Sequence, residues 1–449
     1  MAKVLDQDNR FEEVVPPFEP AEAMDEALRC YYCYDAPCIK ACPTGIDIPV
    51  FIHQIANRDV KAAARTIMDA NILGATCARI CPTEALCEGG CVRKEDSRPV
   101  SIGRLQRVAM DHAMTSDYLP LPDIGVRGQG RVAVVGAGPA GMGAAATLTR
   151  MGYLVEVFEE KPEGGGLDTY GIVSYREPLS VSLWEVDMVH KLGTTFHFGT
   201  RVGRDIDWDD LRAQFDAVII AVGLGRVPKM GIEGEDLAGV WDALDLVEAT
   251  KTMALDDIDI GRQVAVIGAG NTAVDAATCA KRLGAEEVTI VYRRDQTAMS
   301  AYQYEYEFAK QEGVSYKWWT VPVAVLGNHR VQGLRCARTG VLAGEDKNRR
   351  SANLQRIPGS EFVLPVDTVI RAIGQTKPST LWDEIGVQTR NHRAVVDDET
   401  FSTSLSGVYA IGDCLGRDGE ATVVAAVADG KKVAWAVHQQ LTHANKRSV

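Results

Sequence analysis

This 449-residue chain has no surplus of positive charge: 48 Lys and Arg face 61 Asp and Glu, which leaves −13 at neutral pH. An acidic surface repels phosphate backbones and anionic headgroups, so no nucleic acid and no membrane is expected among its partners. Nor is there a run of about eighteen uncharged, strongly apolar residues of the kind that spans a bilayer. The opening, MAKVLDQDNRFEEVV, lacks the apolar core behind a basic flank that marks a secretory leader. A cytoplasmic protein is expected. Solenoid repeats are absent, and so are strand patterns from the first 115 residues.

Cysteine, in contrast, is abundant. Eleven are present, and eight of them fall between Cys30 and Cys91. In a reducing compartment that density points to metal or redox ligation rather than to structural disulfides. Cys279, Cys336 and Cys414 show no paired spacing, which disfavours a disulfide reductase of the CxxxxC kind and suits packing. The eight form two runs, Cys30-x2-Cys33-x4-Cys38-x3-Cys42-Pro43 and Cys77-x3-Cys81-Pro82-x5-Cys87-x3-Cys91. Zinc sites usually present separated pairs of ligands, each on its own knuckle, and these runs are denser. In two-cluster bacterial ferredoxins a close run encloses one iron–sulfur cube, and the cysteine followed by proline reaches over to the other. Cys42-Pro43 and Cys81-Pro82 both carry that feature. Cys30, Cys33 and Cys38 are therefore expected around one cube, with Cys42 leaving for its neighbour. Zinc is the alternative, and eight thiols would also supply two complete sets of four.

Ile48, Phe51, Ile52, Ile55 and then Val60, Ala63, Ala64, Ile67 repeat at i, i+3, i+4, i+7, so residues 1–115 read as a helical domain. Residues 116–130, SDYLPLPDIGVRGQG, are rich in Pro and Gly and read as a linker. From Arg131 the texture changes to an apolar strand, a glycine turn, a helix-like run and a second strand, and the same order returns at Gln263. RVAVVGAGPAG and QVAVIGAGNTA are two openings of one α/β architecture, which predicts two doubly wound nucleotide-binding domains.

In the first turn Gly136, Gly138 and Gly141, with Pro139 and Ala140 between them, follow the strand VAVV and open a helix. Glycines there permit a tight turn and let the backbone approach a pyrophosphate at the helix N-terminus. The next strand, YLVEVF, ends at Glu159, where a carboxylate can bind both ribose hydroxyls. The second turn, Gly268, Gly270, Asn271 and Thr272, is followed by the strand VTIV, which ends in Tyr292-Arg293-Arg294. An NAD site normally places Asp or Glu at that position, whereas arginines accommodate a 2′-phosphate, so NADPH is expected over NADH. A solvated arginine pair would leave NADH in place. Further on, GVYAIGD sets Gly412 and Asp413 at a strand end, and Thr422 begins the helix-like run TVVAAVADGKKVAWAV.

The stretch from CYYCYDAPCIKACP through CARICPTEALCEGGC to PVSIGRLQR resembles the N-terminal electron-input module of dihydropyrimidine dehydrogenases, above all their separate bacterial NAD(P)H-oxidising subunit. It is also similar to the small subunit of glutamate synthase. The resemblance covers nearly the whole chain. It implies two 4Fe-4S clusters, one on Cys30, Cys33, Cys38 and Cys91, the other on Cys42, Cys81, Cys87 and Gln106, with Cys77 a bystander. Glutamate synthase relatives tend to carry glutamate at the Gln106 position. The resemblance also makes the first nucleotide FAD and places Gly166, Leu167 and Arg176 beside the flavin. By the same match Asp413, after Gly412, lies at the ribityl or phosphate region, the helix at Thr422 faces the isoalloxazine, and Ala372 and Gly374 lie near the nicotinamide nucleotide. A Rossmann-like FAD domain, 131–255 and 366–449, would then be interrupted by an NAD(P) domain, 256–365.

In this reading hydride passes from NAD(P)H to FAD and electrons leave singly through the clusters, with no essential general acid or base in the flavin step. The family reduces uracil and thymine at an FMN site in a barrel domain for which no room remains after Val449. The chain is accordingly expected to be an input subunit whose partner carries FMN and further clusters. A glutamate synthase small subunit, a ferredoxin:NADP oxidoreductase-type subunit and a non-catalytic scaffold are the alternatives.

Overall fold

A computed structural model describes residues 9–116, 120–126, 130–341, 353–417 and 421–447, the last segment without side chains beyond 443. The cysteine-rich segment is helical: α1 (Pro20–Ala27), α2 (Pro37–Ala41), α3 (Ile48–Ala56), α4 (Val60–Ala70), α5 (Gly74–Ile80) and α6 (Ile102–Thr115). Asp47 and Asp59 cap α3 and α4 by accepting the Val50 and Ala62 amides, which would otherwise lack partners. The stripes Ile48, Phe51, Ile52, Ile55 and Ala63, Ala64, Ile67 are all buried, as their spacing predicts. A closed ring of ion pairs ties Glu13 to this bundle. Arg79 and Arg107 each bond both Glu13 and Asp111, at 2.6–3.0 Å. Of the expected linker, 117–119 and 127–129 lie outside the described residues, and 120–126 carry no helix or strand.

The first sheet then begins: β1 (Arg131–Val135), α7 (Pro139–Arg150), β2 (Leu154–Glu159), α8 (Leu179–Leu192), β3 (Thr195–Phe198) and β4 (Ala217–Ile220). The chain next builds a second parallel sheet from β5 (Val240–Asp242), α9 (Ala243–Thr252), β6 (Gln263–Ile267), α10 (Asn271–Arg282), β7 (Glu287–Val291), α11 (Gln303–Gln311) and β8 (Ser315–Lys317). An antiparallel ribbon of β9 (Thr320–Leu326), β10 (Gly333–Val341), β11 (Leu354–Arg356) and β12 (Phe362–Leu364) follows, and β13 (Thr368–Arg371) rejoins the second sheet. The first sheet is completed by β14 (Val408–Ala410), and the long helix α12 (Val423–Arg447) closes the chain.

The two parallel sheets share one layout, β14-β4-β1-β2-β3 and β5-β13-β6-β7-β8. Both are doubly wound, with the glycine turn leaving the central strand. By contacts, residues 13–169, 176–224 and 377–449 form one compact unit, while 170–175, 225–376 and the described residues up to Glu12 form the other. The inserted unit is thus wider than the expected 256–365. Its edge strand β5 pairs in parallel with β13, and both strands lie outside that range. The helical segment does not separate from the first sheet, because one continuous core runs from Phe51, Ile67 and Leu105 to Val132, Val134 and Val433. Among the described residues no helix is long and apolar enough to cross a membrane.

Candidate functional site

The fold sorts the eight cysteines into two groups. Cys30, Cys33, Cys38 and Cys91 line one pocket, together with Ala36 and Ile52. In the other group Cys87 lies within electrostatic reach of Cys81 and Cys42. Local backbone explains how each run turns. Pro37 starts α2, which buries Cys38 and ends on Cys42, while Cys77 and Cys81 sit one turn apart on α5 and at its end. Tyr32, held at φ 52, aims its amide at the Cys30 sulfur at 3.5 Å, and the Thr44 hydroxyl lies 3.3 Å from the Cys42 sulfur. Cys77 is buried beside Cys81, Asn71 and Glu185. Gln106 is buried on α6, its nitrogen donating to the Gly74 carbonyl at 2.7 Å.

Burial pushes the Cys38 thiol up to about 12 and raises Cys30 and Cys87 as well, in each case before the repulsion from neighbouring thiolates is counted. Such sulfurs carry negative charge only when a bound cation compensates it. Four thiolates on one zinc ion would stand about 3.8 Å apart, given Zn–S bonds of about 2.3 Å. Among the described residues no three His, Cys, Asp or Glu side chains gather tightly enough for a single ion. Four sulfurs that line one pocket without closing on a single-ion site instead suit a group that spreads its ligands over several metal ions, as an iron–sulfur cube does.

At the first glycine turn β1 ends and α7 begins under Gly138. Gly136 is at φ 103, and a Cβ there would lie 2.5 Å from the Ala221 carbonyl; one on Gly141 would lie 2.0 Å from that of Gly136. Side chains are excluded, so the amides at the head of α7 stay open to an anion. Pro139 and Ala140 form the first turn of that helix. Glu159, buried at the end of β2, accepts from the Ala137 and Lys161 amides at 2.8 and 2.9 Å. Burial raises its pKa. Gly166 approaches Gly138 backbone to backbone, Leu167 is exposed, and Arg176 is half-buried. Gly412, at φ 73, abuts Ala140, so the far C-terminal segment reaches the same turn. Asp413 beside it is raised by burial and then by Asp429. Thr422 caps α12, its hydroxyl accepting the Ala425 amide at 3.3 Å. Glu159, Gly166 and Gly412 thus converge on this turn.

The second turn repeats the geometry. Gly268 is at φ 132 and a Cβ on it would lie 2.1 Å from the Ala372 carbonyl, which brings Ala372 against the turn from the end of β13. Gly374, at φ 96, has open space around it. Gly270 precedes α10, which begins with Asn271 and Thr272. Two residues escaped the sequence reading: Ser300, whose hydroxyl would lie 3.2 Å from a Gly270 Cβ, and Tyr302, whose amide donates to Asn271 Oδ1 at 3.1 Å. No sequence signal marks them, since the loop after β7 has no regular pattern. Beyond β7 the arginine pair divides: Arg293 is exposed and Arg294 is buried. Only Arg293 is placed in solvent as the expected phosphate reader requires.

Two glycine-turn nucleotide folds joined to a thiol-rich helical segment define an oxidoreductase that uses flavin, nicotinamide and iron–sulfur chemistry. The family model for dihydropyrimidine dehydrogenase domain II, 4Fe-4S cluster, matches residues 7–118, and that for pyridine nucleotide-disulphide oxidoreductase matches 130–430. The NAD-dependent dihydropyrimidine dehydrogenase subunit PreT of Salmonella typhimurium is 34% identical over 98% of this chain and 99% of its own length. The glutamate synthase [NADPH] small chain of Escherichia coli is 34% identical over 94% of this chain and 92% of its own. FprA of Mycobacterium tuberculosis shares the fold with a TM-score of 0.57 and 19% identity, over 71% of this chain and 86% of that one. The chain belongs to the pyridine nucleotide-disulphide oxidoreductase family, in the group that joins this domain to a 4Fe-4S domain and includes PreT and the glutamate synthase small chain. It is an NAD(P)H-dependent oxidoreductase.

Proposed function

We propose that this chain is the electron-input subunit of a dihydropyrimidine dehydrogenase, working with a partner subunit that carries FMN and further iron–sulfur centres and reduces uracil or thymine. When bound, FAD accepts hydride from NADPH and two 4Fe-4S clusters conduct the electrons onward one at a time. The chain's residues bind and orient these groups. Cys30, Cys33, Cys38 and Cys91 hold one cluster; Cys42, Cys81, Cys87 and Gln106 hold the other. The head of α7 and Glu159 hold the FAD pyrophosphate and ribose, Asp413 the ribityl region, and the N-terminus of α12 faces the ring, where its dipole favours negative charge. Gly268, Gly270, Ala372 and Gly374 cradle the nicotinamide nucleotide, and Arg293 reads its 2′-phosphate.

The observation that supports the reading is the buried Gln106, whose amide bonds the first residue of the helix that leads to Cys81, in a chain that matches PreT over 98% of its length. The glutamate synthase small chain is matched at the same identity, and that is the second reading. Co-purification from native cells under anaerobic conditions separates them. A partner that reduces uracil with NADPH supports the proposal, whereas one that forms glutamate from glutamine replaces it. Iron and acid-labile sulfide should each come to about eight per chain, four for each cube.

A further inference from the structure

Helix α12, which begins beside the first glycine turn, touches the cysteine segment through one charged side chain. Lys431 Nζ donates to the Thr44 carbonyl at 2.8 Å and to the Ala70 carbonyl at 2.6 Å. Thr44 is two residues past Cys42, and Cys42 lies within electrostatic reach of the Lys431 ammonium. The preceding residue, Gly430, packs against α7 so closely that a Cβ would lie 2.4 Å from the Ala140 carbonyl and 2.5 Å from the Ala144 amide. Two consecutive residues therefore clamp the helix of the nucleotide turn on one side and the Cys42 loop on the other. The other cation nearby, Arg150, bonds the Asp69 carboxylate at 3.3 Å. No carboxylate pairs with Lys431 among the described residues; its partners are two neutral carbonyls, so its charge is uncompensated. A half-buried lysine without a counter-ion is costly to hold, which asks for a use.

We propose that Lys431 is a positioning residue for electron transfer: its ammonium raises the reduction potential of the cluster held through Cys42 and fixes the Cys42 loop against the flavin-side helix. This rests on the cluster assignment above. The transfer is one electron lost by the flavin and one gained by the oxidised cluster, which ends one unit more negative. A fixed positive charge in a medium of low dielectric stabilises that extra unit more than the oxidised state. Charge and hydrogen bonding around the cluster are two of the terms that set its potential, and Lys431 supplies charge without touching a sulfur.

The test compares the full chain with its Lys431→Gln and Lys431→Arg variants, purified anaerobically, in a redox titration followed by electron paramagnetic resonance. Gln keeps two N–H donors without the charge, and Arg keeps the charge. For Lys431→Gln the reduced-to-oxidised ratio of the affected cluster should fall roughly tenfold at fixed ambient potential, about 59 mV for a one-electron couple. The other cluster's signal should stay put, and Lys431→Arg should recover most of the loss. An unchanged potential in Lys431→Gln with both clusters present overturns the inference and leaves the cluster assignment standing. Wild-type protein without two clusters overturns both. If Lys431→Gln loses iron while Lys431→Arg retains iron but titrates as displaced as an uncharged variant would, the role is structural and the inference is again overturned.

Discussion

The side-chain nitrogen of Gln106 donates to the Gly74 carbonyl at 2.7 Å, and no hydrogen bond reaches its Oε1 from any described residue. The amide is thereby held at the first residue of α5, with its oxygen unused, and the proposed ligand role would employ that oxygen. Replacement by Leu, of similar size and without the oxygen, should cut iron and sulfide to about half, one cube of two. Replacement by Cys should keep the full complement with a shifted potential. Iron unchanged in Gln106→Leu would remove this residue from the ligand set.

Gly166 is at φ 57, and a Cβ on it would stand 2.8 Å from the Gly138 Cα. Alanine there costs about 1–2 kcal/mol for its left-handed backbone alone, and the contact must also push the loop off the nucleotide turn. The Gly166→Ala protein should bind flavin in less than full stoichiometry. Gly199, at φ 68 with no atom within 4 Å of a Cβ, is the control, and its Ala variant should keep flavin. Equal flavin content in both variants would show that the close approach is not needed.

The division of the arginine pair makes a prediction about coenzyme choice. Arg293→Glu should raise the KM for NADPH roughly tenfold, the size of one lost charge-assisted bond, and leave NADH nearly unaffected. Arg294→Glu puts a new negative charge in a buried place and should lower the melting temperature of the protein whichever coenzyme is present. Equal losses with both coenzymes in Arg293→Glu would return NADH as the donor.

The Thr76 hydroxyl lies 2.5 Å from Glu177 Oε1 and 2.6 Å from Glu185 Oε2. A hydroxyl has one proton, so one of these short bonds must be donated by a protonated carboxyl. Glu185 is the holder, for burial lifts its pKa from 4.5 to about 8, with repulsion from Glu177 adding to it. A carboxyl raised on folding gives stability that is whole below about 4.5 and is lost as pH climbs through about 8. The unfolding free energy of the wild type relative to Glu185→Gln should therefore fall with pH across that window. A difference that stays flat from pH 5 to about 8.5 would place the proton elsewhere.

Some of this arrangement was written plainly in the order of residues. Gly136, Gly138 and Gly268 announce themselves because a backbone that must touch another backbone tolerates no side chain, and that demand is local. The helical stripes around Phe51 and Ile67 are legible for the same reason, since a repeat of 3.6 residues is a property of the segment itself. The edge strand β5 was not legible. Three residues, Val240–Asp242, carry too little pattern, and they become a strand only by pairing with β13 more than a hundred positions later. Nor could two adjacent arginines be told apart: Arg293 and Arg294 differ only in which of them the loop beyond β7 turns inward.

By itself, then, the chain of residues determined the chemistry on offer: thiols in two dense runs, two glycine turns, no carboxylate after the second. Tertiary structure alone decided the company each group keeps, setting Cys91 with Cys30, Cys42 with Cys87, and Lys431 beside the Cys42 loop. The physical reason is range. Backbone demands and helical periodicity act over a few residues, whereas burial and charge act through space between segments that only folding brings together.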